Sequence, residues 1–521
     1  MRWIRTISAD IEETARTLGG KALGLVLLHR LGLRVPAGFV VTTEACRALL
    51  RAGRLPDGLG AELATAVAEL ERSTGRVFGG PRTPLAVSVR SGASVSMPGM
   101  MNTILNLGLT AEATEGLADE TGDRPFALDS RRRFLSSFGA AVTYVDMDAD
   151  IDADLDADDA PRQLERAVQA VFSSWDTPRA RTYRALNDIP HDLGTAAVVQ
   201  TMVFGNRDGH SGSGVAFSRD PNTGENIPYG DVLFKHQGED VVSGRATTRP
   251  LRELAAREPA VWTELLDALS RIEGHYRDTC YVEFTFQSGE LWILQVRPGR
   301  FVGGAAVRVA TELADARVIG RRTALLRVSP HHLRHVRTPR IAASGEADIL
   351  ARGLGACPGV AVGRVATTAE AAVRMARDAP VVLVRPETSP NDMHGLAAAR
   401  GIVTARGGPA SHAAVVARAM GKPAVVGVAG LTVHVGDGDG DGDGSVTVGG
   451  RTLGDGTLVT IDGTSGEVAL GSPRVVTDAA GDHLHRLLAW ADDISGDHSA
   501  REESQRLDAA HTALRLPGRP G

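Results

Sequence analysis

The segment TARGGPASHAAVVARAMGKP (404–423) places one histidine directly behind a Gly-Gly pair and at the head of an Ala/Val-rich run. The apolar residues 401–404 read as a strand, and the helical pattern begins near Ser411, so His412 falls in the first helical turn. Unsatisfied amides and the positive end of the helix dipole lie there. Such a place disfavours imidazolium and favours an anion carried on the ring. The chemistry it suits is a neutral imidazole nucleophile that accepts and carries a phosphoryl group. A lone histidine is more often a cap or a core group. Here the Gly-Gly turn before it and the small-residue helix after it, which would let another surface approach closely, favour the carrier.

A second set of residues has the charge that phosphates require. Of 57 Lys and Arg residues only Lys21, Lys235 and Lys422 are lysines, so a position that keeps lysine in this arginine-rich chain is a candidate for a site needing a compact ammonium. Lys21 follows Gly19-Gly20, and Arg90 ends the apolar strand 85–90. Gly99 to Thr103 reads as a flexible loop whose backbone amides could close over phosphates. Glu283 and Gln295 face each other on two neighbouring strands, 281–286 and 291–295, and Arg297 lies two residues beyond Gln295 on the same face.

These residues need elements to hold them. The chain has 521 residues, 43% hydrophobic and 23% charged, with net charge −6, enough for three or four compact units and too balanced for a nucleic-acid groove. Cys46, Cys280 and Cys357 are too few and too scattered for a disulfide framework or a metal cluster. The N-terminus turns acidic before any signal-like apolar run, and about 18 consecutive apolar residues occur nowhere, so the expectation is a cytoplasmic protein without membrane or nucleic-acid partners. Helix, Gly-Gly-Lys turn, helix and strand fill 9–46. Asp146 to Asp159, with eight aspartates, reads as a solvated loop, and the alternating Gly/Asp run 436–444 as a hairpin tip. Residues 356–471 alternate short strands and helices.

Taken together, TARGGPASHAAVVARAMGKPAVVG, with LVRPETSPNDM (383–393) and IDGTSGEVALG (461–471), closely resembles the phosphohistidine domain of the pyruvate, phosphate dikinase family. The blocks TLGGKALGLVLLHRLGLRVPAGFVVTTEAC (17–46), SVRSGASVSMPGMMNTILNLGL (88–109), FALDSRRRFLSSFG (126–139), QTMVFGNRDGHSGSGVAFSRDPNTGE (200–225), HQGEDVVSG (236–244) and HYRDTCYVEFTFQSGELWILQVRPGR (275–300) resemble its ATP-grasp domain, in family order. The resemblance implies an α/β (α+β) chain: an ATP-grasp nucleotide-binding domain (1–340), a linker (341–355), a swivelling β/β/α phosphohistidine domain (356–475) and a helical, charged tail (476–521). It implies that His412 is the phosphoryl carrier and that Lys21, Arg90, Gly99, Thr103, Gln200, Glu283, Gln295 and Arg297 bind ATP, with Gln200 to Phe204 beside adenine. By the same resemblance, Glu283 and Gln295 hold Mg²⁺.

The expected reaction is the nucleotide half of a dikinase cycle, in which ATP and phosphate give phospho-His412, AMP and pyrophosphate. Leu487 to Asp492 resembles the linker into the family's C-terminal barrel, and only 31 residues follow Trp490, so pyruvate or phosphoenolpyruvate is expected to be handled by a separate barrel subunit. The alternatives are another small-molecule acceptor, as in the rifampin phosphotransferases, and a weakly active phosphocarrier or regulatory protein. Departures from the family pattern are Tyr281 and Asn102, each where Asp is expected, Lys235 where Asn is usual, and a shortened region between Val145 and Arg162.

Overall fold

In the computed structural model the described residues are 2–95, 97, 100–142, 158–243, 246, 248–299, 301, 303–334, 336, 339–342, 347–408, 411–435, 444–477 and 481–515. Gly99, most of the aspartate-rich run (146–157) and most of the Gly/Asp run (436–443) lie outside them. The chain is mixed α/β and divides into two compact units, Met1–Gly212 with Glu283–Val296, and Ser213–Val282 with Arg297–Gly521.

The first unit is built on an antiparallel sheet of β1 (Ile4–Thr6), β2 (Gly38–Val41), β3 (Val87–Gly92), β4 (Thr103–Leu107) and β5 (Ala196–Thr201), in the order β1-β2-β5-β3-β4. Helix α1 (Ala15–Arg30) breaks at Gly19, where φ is +75°, so the expected Gly-Gly turn interrupts one helical run. Helix α2 (Ala160–Ser173) starts at Asp159, whose side chain accepts from the Arg162 amide, with a proline in its first turn. Its apolar stripe, including Leu164, Val168 and Phe172, shares a core with Val87 and Val89 of β3 and Ile104 and Leu107 of β4. Because side chains alternate along a strand, burying Val87 and Val89 there turns Ser88 and Arg90 to the other face. Helix α3 (Pro178–Leu186) follows α2 after a short 3₁₀ turn.

The second unit holds β6 (Gly212–Phe217, but for its first residue), β7 (Tyr229–Phe234) and β8 (Arg249–Pro250), followed by β9 (Cys280–Gln287) and β10 (Glu290–Pro298), whose residues 283–296 belong to the first unit. Its larger sheet has eight strands: β11 (Ile349–Arg352), β12 (Leu354–Cys357), β13 (Val360–Ala366), β14 (Val381–Arg385), β15 (Gly401–Thr404), β16 (Ala424–Val426), β17 (Leu458–Asp462) and β18 (Glu467–Leu470). Their order is β11-β18-β17-β13-β14-β15-β16-β12. The run β13-β14-β15-β16 is parallel, and its crossovers carry the helices Ala369–Met375, α4 (Met393–Ala398) and α5 (His412–Met420).

Two boundaries differ from the sequence reading. Residues 349–355, expected within a linker, are strands of this sheet, while the paired segments Pro339–Ile341 and Val475–Thr477 flank it. The expected tail is helical, as α6 (Asp482–Ser495) and α7 (Glu503–Arg515), but it is part of the core. Leu484, Leu487, Leu488, Trp490 and Leu507 are buried with Val307 and Leu313, and Asp492 pairs with Arg506. Charge on the outer faces masked an apolar stripe at helical spacing.

Two of the three lysines have structural explanations. Lys235 is exposed and sits at φ +59°, a backbone conformation that asparagine tolerates better than most residues. Lys422, just after the left-handed C-cap Gly421, donates to the carbonyls of Leu396 (2.9 Å), Ala399 (2.6 Å) and Ala397 at the end of α4. Three rotatable N–H groups on one compact ammonium satisfy three converging carbonyls, which a planar guanidinium cannot do. Lys422→Met is therefore expected to destabilise the chain by ~1–3 kcal/mol in urea denaturation, with Lys422→Arg recovering only part of the loss.

Candidate functional site

In the first unit, the Gly-Gly turn of α1 lies against the end of β3. A Cβ on Gly19 would sit 1.4 Å from the Gly92 carbonyl oxygen, and the Gly20 amide donates to the Ala93 carbonyl at 3.0 Å. No side chain other than hydrogen fits at Gly19, and the tight packing brings the Lys21 stem beside Gly92. Arg90, two residues earlier on β3, is directly opposite Thr103 on β4. Its Nη2 donates to Glu283 Oε2 at 2.8 Å and to Gln295 Oε1 at 3.3 Å, and its Nη1 to the Leu294 carbonyl at 3.4 Å. One guanidinium thus draws together a carboxylate and an amide oxygen from adjacent strands, through partly buried, charge-assisted contacts.

Lys21, Arg90, Thr103, Glu283 and Gln295 consequently belong to one unit. Gln200 belongs to it too, with a different employment. Its side chain is buried, and Nε2 donates to the Pro36 carbonyl at 3.0 Å, bracing β5 against β2. Arg297 is in the second unit, where its guanidinium lies 4.2 Å from the centroid of the Tyr281 ring. Tyr281 is buried and packs edge-on against Phe217, so the phenol that replaces the expected carboxylate serves as core.

His412 is the first residue of α5, after the N-cap Ser411. Ser411 makes no side-chain cap and its Oγ is buried without a partner among the described residues, which leaves the first-turn amides uncapped by it. His412 Nδ1 is 3.0 Å from Thr388 Oγ1, while Nε2 is buried with no partner among the described residues. Burial pushes the imidazolium below its ordinary pKa, and the nearby Asp392 carboxylate pulls it part of the way back. Asp392 is itself fixed by the Ser389 amide (2.7 Å), the Ser389 hydroxyl (3.0 Å) and an ion pair with Arg385 (3.3 Å). Thr388, Ser389 and Asp392 all fall within the block LVRPETSPNDM, whose wording showed a resemblance but not which hydroxyl reaches the ring.

The small residues of α5 do not present an open surface, contrary to the sequence reading. Ala413, Ala414, Val416 and Ala417 are buried in the core of their own sheet. Close approach is made instead by the turn: a Cβ on Gly408 would lie 2.3 Å from Asp231 Oδ2 and 2.5 Å from Thr248 Oγ1. The preceding Gly407 has φ +99°, so both glycines are demanded, one by conformation and one by space.

Among the described residues no helix is long and apolar enough to cross a membrane. Residues 47–258 match the family model described as pyruvate phosphate dikinase, AMP/ATP-binding domain, and residues 377–466 match that of the PEP-utilising enzyme, mobile domain. Pyruvate, phosphate dikinase 2 of Zea mays is 42% identical over 518 residues, covering 92% of this chain and 58% of its own. Pyruvate, phosphate dikinase of Rhizobium meliloti (strain 1021) is 38% identical over 547 residues, covering 94% and 60%. The chloroplastic pyruvate, phosphate dikinase of Flaveria bidentis is 40% identical over 516 residues, covering 91% and 53%. This chain spans somewhat over half the length of these relatives, and by the two domain matches and the identity that runs through both of them it belongs to the pyruvate, phosphate dikinase family of PEP-utilising enzymes.

Proposed function

We propose that this chain carries out the nucleotide half of a dikinase reaction, converting ATP and phosphate to AMP and pyrophosphate while His412 retains the β-phosphoryl group. The observation that carries the reading is the pair of ring nitrogens: Nδ1 lies 3.0 Å from the Thr388 hydroxyl, and Nε2, at the head of a helix, is buried with no partner among the described residues. With its proton on Nδ1, donated to Thr388 Oγ1, the imidazole has a lone pair on Nε2 and needs no base. Nε2 attacks the β-phosphorus and the bond to the AMP oxygen breaks, which leaves a pyrophosphoryl group on His412; inorganic phosphate then attacks the γ-phosphorus, the β–γ bridging bond breaks, and pyrophosphate leaves with the β-phosphoryl group retained on the ring. The proton still on Nδ1 makes the newly phosphorylated ring an imidazolium, and phospho-His412 returns to a neutral ring bearing an anion when that proton leaves Nδ1 on the side of Thr388 Oγ1.

Nucleotide binding is assigned to Lys21, Arg90, Thr103, Glu283, Gln295 and Arg297, with the Gly99 loop over the phosphates and the segment from Gln200 to Phe204 bordering the base. The site fits Mg²⁺, because Glu283 Oε2 and Gln295 Oε1 converge on one Arg90 nitrogen and are hard oxygen donors on rigid strands. When bound, the ion would neutralise phosphate charge. Lys21 and Arg90 supply positive charge from backbone fixed by packing rather than by flexible reach, and phosphoryl transfer relies on that kind of positioning. Arg297 stacks its guanidinium against the Tyr281 ring. The acceptor we propose is pyruvate, after the name its relatives bear, bound outside the two domains by a further domain or a separate barrel subunit.

Incubation with ATP labelled at the β-phosphorus and phosphate is expected to leave acid-labile, base-stable label on the protein and none on His412→Ala; label that persists in that variant would sink the assignment. Thr388→Val, which keeps shape but loses the oxygen facing Nδ1, is expected to slow labelling roughly tenfold or more, equivalent to ~1.4 kcal/mol. Titration of the His412 ring, followed by NMR, should have its midpoint below the ordinary histidine value, and Asp392→Asn should lower it further by removing the compensating charge. A ring that resists protonation when folded binds fewer protons than when unfolded. Its contribution therefore makes the protein lose stability as pH falls from the ordinary histidine value of about 6.5 towards the lowered one.

A further inference from the structure

Helix α3 carries Arg179, Arg181 and Arg184, and they are not employed alike. Arg181 pairs with Asp176 at 2.5 Å, and Arg184 is buried, donates to His191 Nδ1 at 3.1 Å and lies 3.6 Å from the same carboxylate. Arg179 is exposed and makes no ion pair among the described residues; its one contact is a 3.3 Å hydrogen bond from Nη2 to the neutral Oδ1 of Asn102. Asn102 is held in turn by its own amide, which donates to Ser174 Oγ at the α2–α3 junction. It immediately precedes Thr103, the residue paired with Arg90. An unneutralised guanidinium is thereby tethered, through a neutral amide, to the loop leading into the strand opposite Arg90.

We infer that Arg179 is a further binding residue for a phosphate group at this site, the terminal phosphate of the nucleotide or free inorganic phosphate. The inference rests on the nucleotide reading of the Arg90 cluster. Of the guanidinium's five N–H groups, the one bond to Asn102 leaves four for an anion, and the amide oxygen orients the fork without cancelling its charge.

The test is calorimetric titration of the full chain with the β,γ-imido analogue of ATP, with AMP and with inorganic phosphate. Arg179→Gln is expected to weaken the ATP analogue or inorganic phosphate at least fivefold while AMP changes less than twofold, and Arg179→Lys to recover part of the loss. The ligand that weakens identifies the source of the phosphate. Affinities for the ATP analogue and for phosphate within twofold of the parent in Arg179→Gln would overturn the proposal. Arg90→Gln tells whether the nucleotide reading falls with it: if Arg90→Gln abolishes binding of the ATP analogue, that reading stands and Arg179 alone is rejected, whereas unchanged binding in both Arg179→Gln and Arg90→Gln rejects both.

Discussion

The organisation of the first unit depends on the guanidinium of Arg90. It reaches from the middle of one sheet to a carboxylate and an amide oxygen about two hundred residues further along the chain, and the segment that holds them, 283–296, is counted with residues 1–212 and not with its own sequence neighbours. Removing either partner would leave a half-buried charge with reduced compensation, which is costlier than the intact pair is stabilising. The same oxygens are the donor set proposed for a divalent cation, so one interaction both ties residues 283–296 to the first unit and bears on its proposed chemistry.

In the function proposed for it, the second unit faces a different electrostatic problem. A phosphoryl carrier must be uncharged before it reacts and must tolerate dianionic charge afterwards. Burial lowers the proton affinity of the His412 ring, and Asp392, immobilised by Ser389 and Arg385, limits how far that shift goes. In the same proposal the start of α5, where Ser411 makes no side-chain cap, supplies amides for the second state without adding a formal charge that would hinder the first.

Lysine retention illustrates how far composition reasoning extends. In a chain that uses arginine almost throughout, each of the three lysines invited a functional reading. Lys21 is beside Gly92 at the end of the strand bearing Arg90, Lys422 caps the last carbonyls of α4, and Lys235 occupies an exposed left-handed turn. The need for a compact ammonium holds for Lys422 as geometry, though for structure and not for catalysis.

By itself the sequence determined the kinds of element and the residues able to do chemistry: the Gly-Gly turns, the strand ending at Arg90, the helix beginning at His412 and the alternation that places Glu283 and Gln295 on neighbouring strands. These follow from local constraints, since positive φ, period-two burial and helix capping depend on a few consecutive residues. Tertiary structure alone decided which groups meet. That Thr388 faces Nδ1, that Gln200 is spent on Pro36, that Tyr281 is core beneath Arg297, and that helices 482–515 complete a core rather than trail from it all depend on segments distant in sequence. A side chain's hydrogen-bond partner is set by where the packed backbone places it, and residue type specifies only what it can accept or donate.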